Sequence, residues 1–423
     1  MSNKSLIVRC AALALMLTLP VGAFAQTSRV EGMALQGDYI KDYTGIYTYV
    51  SGLPSVGNLV YGELGSGAAA PTDRGMGAVL GNLWDGKFGT WAIHMRQQTP
   101  SLGQGDATSQ PGAKDSTGIS VDPNTNHNES FDLMWGKKFG TMNLGLRLNR
   151  SYRKYKIVNN IGTTTIFELD NLASQSNPGR NITGFAGGLG FDWGKNTGVE
   201  LSALFESRTF ESTVSNTPAT SNKDDGGSTY QLAGRMFWQW SPSVIVTPVI
   251  KVYSYDLSRK TGTPQSFDNK LSGWQAGAAG NWNVGTSDLF VLGATFAQNT
   301  LDEGENVLGL VLPAGIAPTM KLTESISPQV FAALETHINR WLTLRFGANK
   351  GAFQKVKWIN QGAAVPQTNE FSMSSFNMNL GAGVKLGTLQ LDAVMDNNFA
   401  HHVTMIGSTG APTFGKVTAT YAF

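Results

Sequence analysis

Apolar and polar residues alternate one by one along much of this chain. Over residues 376–386, Phe376, Met378, Leu380, Ala382, Val384 and Leu386 share one side, and Asn377, Asn379, Gly381, Gly383 and Lys385 share the other. Trp91, Ile93 and Met95 alternate with Thr90, Ala92, His94 and Arg96; Leu342, Leu344 and Phe346 with Thr343, Arg345 and Gly347; Phe131, Leu133 and Trp135 with Ser130 and Asp132. A period of two predicts strands with one oily face and one wet face. Val244 to Val252 departs from the pattern: both faces are apolar, and Pro248 predicts a bulge or kink there.

The strands come in pairs. Short turns fall near Trp84-Asp85-Gly86-Lys87, Lys137-Lys138-Phe139-Gly140, Gly194-Lys195-Asn196-Thr197, Ser241-Pro242-Ser243, Asn283-Val284-Gly285-Thr286, Asn339-Arg340 and Gly387. Between them lie Gly-, Ser-, Thr- and Asn-rich stretches near 98–128, 157–179, 213–227, 258–267, 300–319, 354–369 and 400–413. Short turns at one end and long loops at the other predict an all-β fold, a transmembrane antiparallel up-and-down β-barrel. A closing strand that runs down, seven hairpins before it, and a first strand over Val56 to Glu63 ahead of Gly75 to Leu83 make about 16 strands. Fourteen is the alternative, since single-chain bacterial barrels have even numbers.

Gly415, Val417, Ala419, Tyr421 and Phe423 alternate with Lys416, Thr418 and Thr420 up to the last residue. A strand that stops on an aromatic resembles the closing strand of bacterial outer-membrane β-barrels. The resemblance implies that Tyr421 and Phe423 form a signal for the barrel-assembly machinery. A half-buried edge strand of a soluble β-sandwich is the alternative.

The amino terminus points the same way. Lys4 and Arg9 precede an apolar run from Ala11 to Leu19, and Ala23-Phe24-Ala25 forms an A-x-A cleavage site. Residues 1–25 therefore read as a signal peptide for Sec export, with a mature chain from Gln26. The run is too short to span a bilayer, and no later stretch approaches the ~20 apolar residues a membrane helix needs. Cys10 lies in the removed segment, so the mature chain is expected to lack disulfides and thiolate metal sites. The expected location is the outer membrane of a Gram-negative-type bacterium, in contact with its lipid and lipopolysaccharide.

Composition narrows the reading further. The 423 residues include 50 glycines, 10% aromatics and only 15% charged residues, which suits a lipid-facing sheet better than a soluble surface. Lys and Arg number 32 against 30 Asp and Glu; removing Lys4 and Arg9 leaves a neutral mature chain. Nucleic-acid binding has no electrostatic support. Trp84, Phe88, Trp135, Phe139, Trp193, Trp238, Trp240, Trp282 and Trp341 cluster beside the short turns. That placement predicts an interfacial girdle rather than core tryptophans.

Residues 26–55 do not alternate cleanly. Gly32-Met33-Ala34, Gly37-Asp38-Tyr39, Asp42-Tyr43 and Val50-Ser51-Gly52-Leu53-Pro54 follow one another in an order that resembles the N-terminal region of the FadL/PorV-like outer-membrane family. Where that family carries Asn-Pro-Ala, Ser51-Gly52-Leu53-Pro54 stands here. The resemblance implies a large barrel over 56–423 whose N-terminal segment packs in the lumen as a plug, in some members serving passage of hydrophobic compounds. A periplasmic leader or short lid is the alternative.

No catalytic signature is present. His94 is expected in the lumen, His337 at a turn, and His127, His401 and His402 in loops, without a G-x-S-x-G or H-E-x-x-H motif. Asp224-Asp225 and Asp302-Glu303-Gly304-Glu305 are expected in outer loops, as solvated acidic clusters or as ligands of Ca²⁺ and lipopolysaccharide-bridging cations. Neither an enzyme, a cofactor nor a resident metal is expected.

The wet face supplies the candidate site. It carries His94, Arg96, Arg147, Arg208, Arg235, Arg345 and Lys385 against Asp132, Asp192, Glu200, Glu206, Glu335, Asp392 and Asp396. Such charges either focus ions in a water-filled channel or cross-link one another. Their near balance predicts weak charge selectivity. About 16 strands leave room for an aqueous channel, unless residues 26–55 or the 98–128 stretch fold inward. The expected function is a channel or passive transporter for small solutes, by diffusion through the lumen. The alternatives are a FadL-like conduit for hydrophobic compounds and a non-conducting barrel acting as a structural or secretion partner.

Overall fold

A computed structural model of the chain describes residues 27–65, 74–81, 83, 86–98, 126–152, 156–161, 164–170, 179–194, 196–215, 220–223, 227–256, 259–260, 266–267, 269–285, 287–303, 320–360, 367–374, 376–395 and 414–423. Sixteen strands form the wall. They are β1 (Leu59–Gly65), β2 (Arg74–Leu80), β3 (Thr90–Gln98), β4 (Asn126–Phe139), β5 (Met142–Tyr152), β6 (Gly179–Gly194), β7 (Thr197–Ser215) and β8 (Gly227–Ser241). Then follow β9 (Val244–Asp256), β10 (Asn269–Val284), β11 (Asp288–Glu303), β12 (Met320–His337), β13 (Leu342–Gly351), β14 (Phe376–Leu386), β15 (Leu389–Met395) and β16 (Phe414–Ala422). Each pairs antiparallel with the next, and β16 pairs with β1, from Leu59↔Ala422 to Gly65↔Lys416. The sheet has no free edge along this seam, as a hydrocarbon-facing sheet requires.

The alternation sets which face looks out. Phe376, Met378, Leu380 and Leu386 of β14 are exposed, as are Trp91, Ile93 and Met95 of β3 and Phe131 and Leu133 of β4. Among their wet-face neighbours, His94 and Asp132 are buried. An apolar side chain exposed at every second position makes a belt suited to lipid. Phe88, Phe139, Trp193, Trp238, Trp240 and Trp341 are exposed near the short-turn end, where amphipathic rings meet an interface. Trp84 lies outside the described residues.

Several local expectations change. Pro248 interrupts the β8–β9 ladder without inserting a residue: Arg235↔Val249 and Trp238↔Val246 keep one register across it. The first strand begins at Leu59 rather than Val56, and the second covers Arg74–Leu80. Polar stretches expected as loops carry strands. Lys156–Ile161 pairs with Thr164–Asp170, and Gln354–Asn360 pairs with Gln367–Met373 and with the first half of β12. His127 starts in β4, and Asp302 and Glu303 end β11; all three were expected in loops. Ladder hydrogen bonds between backbones sustain a strand whether or not its side chains alternate, so no apolar period need mark it. His401, His402, Asp224 and Asp225 fall outside the described residues.

The N-terminal segment lies inside the ring. Helix α1 (Thr27–Gly32) is followed by 3-10 turns over Gly37–Tyr39, Tyr43–Tyr47 and Val50–Ser55. Contacts of α1 reach β13 to β16, and those of Val50–Ser55 reach β3 to β7. Tyr39, between them, packs against Phe331 of β12 with ring centroids 4.7 Å apart. One segment touching the wall on opposite sides can only be interior.

Two apolar clusters fix it there. Val30, Met33, Leu35, Tyr39 and Ile40 pack on Val249, Ala279, Val291, Phe331 and Ala333. Tyr43, Ile46, Tyr47, Val50 and Leu53 pack with Tyr61, Val79, Ala92 and Met134. Val249, the apolar member of the inner face of β9, is therefore part of a core.

Candidate functional site

The inner wall reaches the segment through three arginines. Arg147 of β5 donates to Asp132 of β4 at 2.7 Å and to the Tyr47 carbonyl at 2.8 Å. Arg235 of β8 donates from Nε to Glu200 of β7 at 2.6 Å, and from Nη1 toward the carbonyls of Gly37, Asp38 and Ile40 at 3.2–3.4 Å. Its guanidinium also lies over Tyr49, 4.2 Å from the ring centre, and Phe237, at 4.8 Å. Arg345 of β13 bridges Glu335 of β12 and Asp392 of β15, while Arg29 of the segment grips both oxygens of Glu335 at 2.7 Å. A planar fork with five N–H donors holds a carboxylate and a second acceptor on separate nitrogens in a fixed geometry, whereas a lysine brings its three donors to a single atom.

Further polar contacts complete the seat. Lys251 of β9 pairs with Asp38, and Lys416 of β16 with Glu31 at 2.7 Å. Asn281, Asn349 and Asn379 donate to the carbonyls of Tyr39, Ala34 and Glu31 at 2.7–3.0 Å. A segment with little regular structure has unpaired backbone carbonyls, and the wall amides satisfy them. His94 Nδ1 lies 2.8 Å from the hydroxyls of both Tyr47 and Tyr61. Burial works against the Arg29 charge, but Glu335 outweighs it and holds the guanidinium above its usual range.

Other residues of the predicted wet face fall as follows. Glu206 is buried and accepts from Asn149 at 2.7 Å. Asp192 lies at the short-turn rim, bound by Asn143 at 2.8 Å and Lys138 at 3.3 Å. Lys385 lines a cavity at the same end, taken up below. The side chains of Arg96 and Arg208, and all of Asp396, lie outside the described residues. Tyr421 and Phe423 are exposed and stack at 6.2 Å on the outer surface of β16.

The sequence pattern passed over Lys251, Lys416 and the segment's own Arg29, Glu31 and Asp38. Lys416 stands on the wet side of the closing strand, so the alternation held a signal for it. Lys251 is hidden between Ile250 and Val252, in the one stretch where the period was obscured.

Close packing here rests on wall glycines. A methyl group on Gly347 of β13 would overlap the Met33 carbonyl oxygen, and one on Gly145 of β5 the Val50 carbonyl. Only a residue without Cβ lets backbone approach backbone so closely.

Tyr39 gives a pH signature. Its hydroxyl lies 2.6 Å from Thr295 Oγ1. Burial pushes the phenol up to about 12. The folded chain then keeps a proton that the unfolded chain loses near pH 10. Stability contributed by this group is intact below about pH 10 and falls as pH rises to about 12, by roughly 2–3 kcal/mol in all. Tyr39→Phe should reduce that fall in alkaline denaturation; an unchanged profile would assign it elsewhere.

These elements define a closed antiparallel barrel whose interior is occupied by its own N-terminal segment. No family profile matches the chain, and no curated protein matches it by sequence. Among solved structures it is similar to CdiB from Escherichia coli, at 8% identity and TM-score 0.42 over 86% of this chain and 63% of that one. It is similar to the FrpB iron transporter from Neisseria meningitidis (F5-1 variant), at 7% identity and TM-score 0.39 over 80% of this chain and 62% of that one. It is also similar to the Pseudomonas putida toluene transporter TodX, at 9% identity and TM-score 0.37 over 94% of this chain and 96% of that one. The chain spans less than two thirds of the length of CdiB and FrpB. The likeness is distant in each case.

Proposed function

We propose that this chain is an outer-membrane transport barrel for small solutes, closed at rest by residues 27–55. Solute passes only when that segment moves. The observation that carries the reading is the burial of Arg147, Arg235 and Arg345, each tying its own wall carboxylate to the segment directly or through Glu335. Charges lining a steadily open channel would be hydrated; these are dry and paired. The apolar belt, the aromatic rim and the N-terminal signal sequence support an outer-membrane location after export. Contact with lipid and lipopolysaccharide on the belt, and with the assembly machinery through Tyr421 and Phe423, belongs to the same reading. A route opened by movement of the segment would be lined by Arg147, Arg235 and Arg345 beside the apolar patch of Val249, Val291 and Phe331, and the charged groups favour a polar solute over a hydrophobic one.

A reversible tether tests this. Ser28 Oγ lies 2.5 Å from Thr418 Oγ1, close enough for a pair of cysteines to bridge the segment to β16. In Ser28→Cys/Thr418→Cys, oxidation should stop uptake of small neutral solutes into liposomes, and reduction should restore it. Uptake that persists when oxidised would overturn the moving segment. No uptake in either state or in the parent would instead support a non-conducting structural barrel.

A further inference from the structure

A cavity of about 420 Å³ opens at the short-turn end, between α1 and strands β11 to β15. Four cations line it: Arg29, Arg340, Arg345 and Lys385. Glu335 is the one carboxylate in its lining, and Asp392 stands behind Arg345. Asp42 of the segment stands behind Arg29 as Asp392 stands behind Arg345, so the cations left to face an occupant are Arg340 and Lys385. Among the described residues, neither Arg340 nor Lys385 has an ion-pair partner. At the rim His337 lies 3.9 Å from Asp288, whose carboxylate stands on the far side of the imidazole from the lining cations.

The buried part of the lining is pre-set. Arg29 spends Nε and Nη2 on Glu335, which fixes the guanidinium plane and leaves Nη1 without a partner among the described residues. Arg345 is held by Glu335 and Asp392 together. Asn339 is tied into the turn through the amides of Trp341 and Leu342, which places Arg340 at the mouth. The site thus combines nearly dry, doubly bonded guanidinium groups on its floor with two more accessible cations at its rim. Its volume matches pockets for small molecules.

We infer that this vestibule binds a small organic dianion, a dicarboxylate or a phosphomonoester, with Lys385 and Arg340 as its principal charge partners and Arg29 at its floor. Arginine forks and lysine ammonium groups both favour such oxyanions over neutral or cationic solutes. Because Arg29 belongs to the segment, an occupant would touch both the wall and the closing element. The binding claim stands independently of transport. That the site lies on the solute route rests on the proposed function.

Titration calorimetry of the folded barrel in detergent, with succinate and with inorganic phosphate as separate probes, tests the site. Saturable binding of at least one is expected, weakening as salt rises. Lys385→Gln/Arg340→Gln should weaken it about tenfold or more while the protein keeps its folded, heat-modifiable mobility. Succinate alone would assign the site to carboxylates, phosphate alone to phosphate esters. Absence of saturable binding by either, or equal binding in the double variant, would overturn the inference. Liposome uptake of the bound probe is then measured separately. Binding without uptake would leave the site standing and count against the proposed route.

Discussion

Gly347→Val should open the barrel. The added Cβ falls on the Met33 carbonyl, a backbone atom that no rotamer change can move aside. The wall is the stiffer partner. Gly347 sits between Ala333 and Asn379 in two continuous ladders, and a β-branched residue suits a strand. The segment has only short helical turns, so it should yield. Overpacking costs of about 1–3 kcal/mol would raise a small displaced fraction roughly fivefold to 150-fold. Solute uptake into liposomes should rise by a comparable factor. Gly145→Val should act likewise from the opposite wall, through Val50. Gly62→Val is the control, because nothing lies within 4 Å of a Cβ built there. An unchanged uptake rate in both inner-face variants would show that this packing does not hold the lumen shut.

Arg235→Ala should be among the most damaging single changes. It strips Glu200 of its buried partner, leaves the carbonyls of Gly37, Asp38 and Ile40 without a shared donor, and empties the space between Tyr49 and Phe237. Breaking a buried pair from one side costs about 3–5 kcal/mol, since a dry charge is left uncompensated. The denaturation midpoint in detergent should fall accordingly. Arg235→Lys should recover only part of the loss, because a single ammonium nitrogen cannot span the separated positions of Glu200 and the segment carbonyls or present a planar face to Tyr49. Glu200→Gln/Arg235→Met, which removes both charges, should be milder than Arg235→Ala. If all three variants keep the parent midpoint, Arg235 is not the fastening that its contacts describe.

The wall was legible because a barrel in lipid obeys a strict period. Trp91, Ile93 and Met95 could face only one way, and His94 and Asp132 the other. Strand pairing across the β16–β1 seam followed from parity. What stayed hidden obeys no period. Residues 27–55 satisfy their backbone through Asn281, Asn349 and Asn379, three amides on separate strands, and no spacing links them. The lumenal charges were visible one by one, but their pairing was not. Arg147 with Asp132 joins neighbouring strands, whereas Arg29 with Glu335 spans 306 positions. Weak charge selectivity was anticipated for a hydrated wall; the same charges instead fasten the segment. The hairpin of Lys156–Ile161 with Thr164–Asp170 escaped because Ile157-Val158 and Ile166-Phe167 place apolar residues side by side, which breaks the period of two.

Single-channel recording of the purified wild-type barrel in a planar bilayer tests the central claim most directly. A lumen closed by its own N-terminal segment predicts a silent baseline with only brief openings, and no steady conducting state. A stable conductance of around a nanosiemens in molar salt, the level of an open barrel of this strand number, would contradict it.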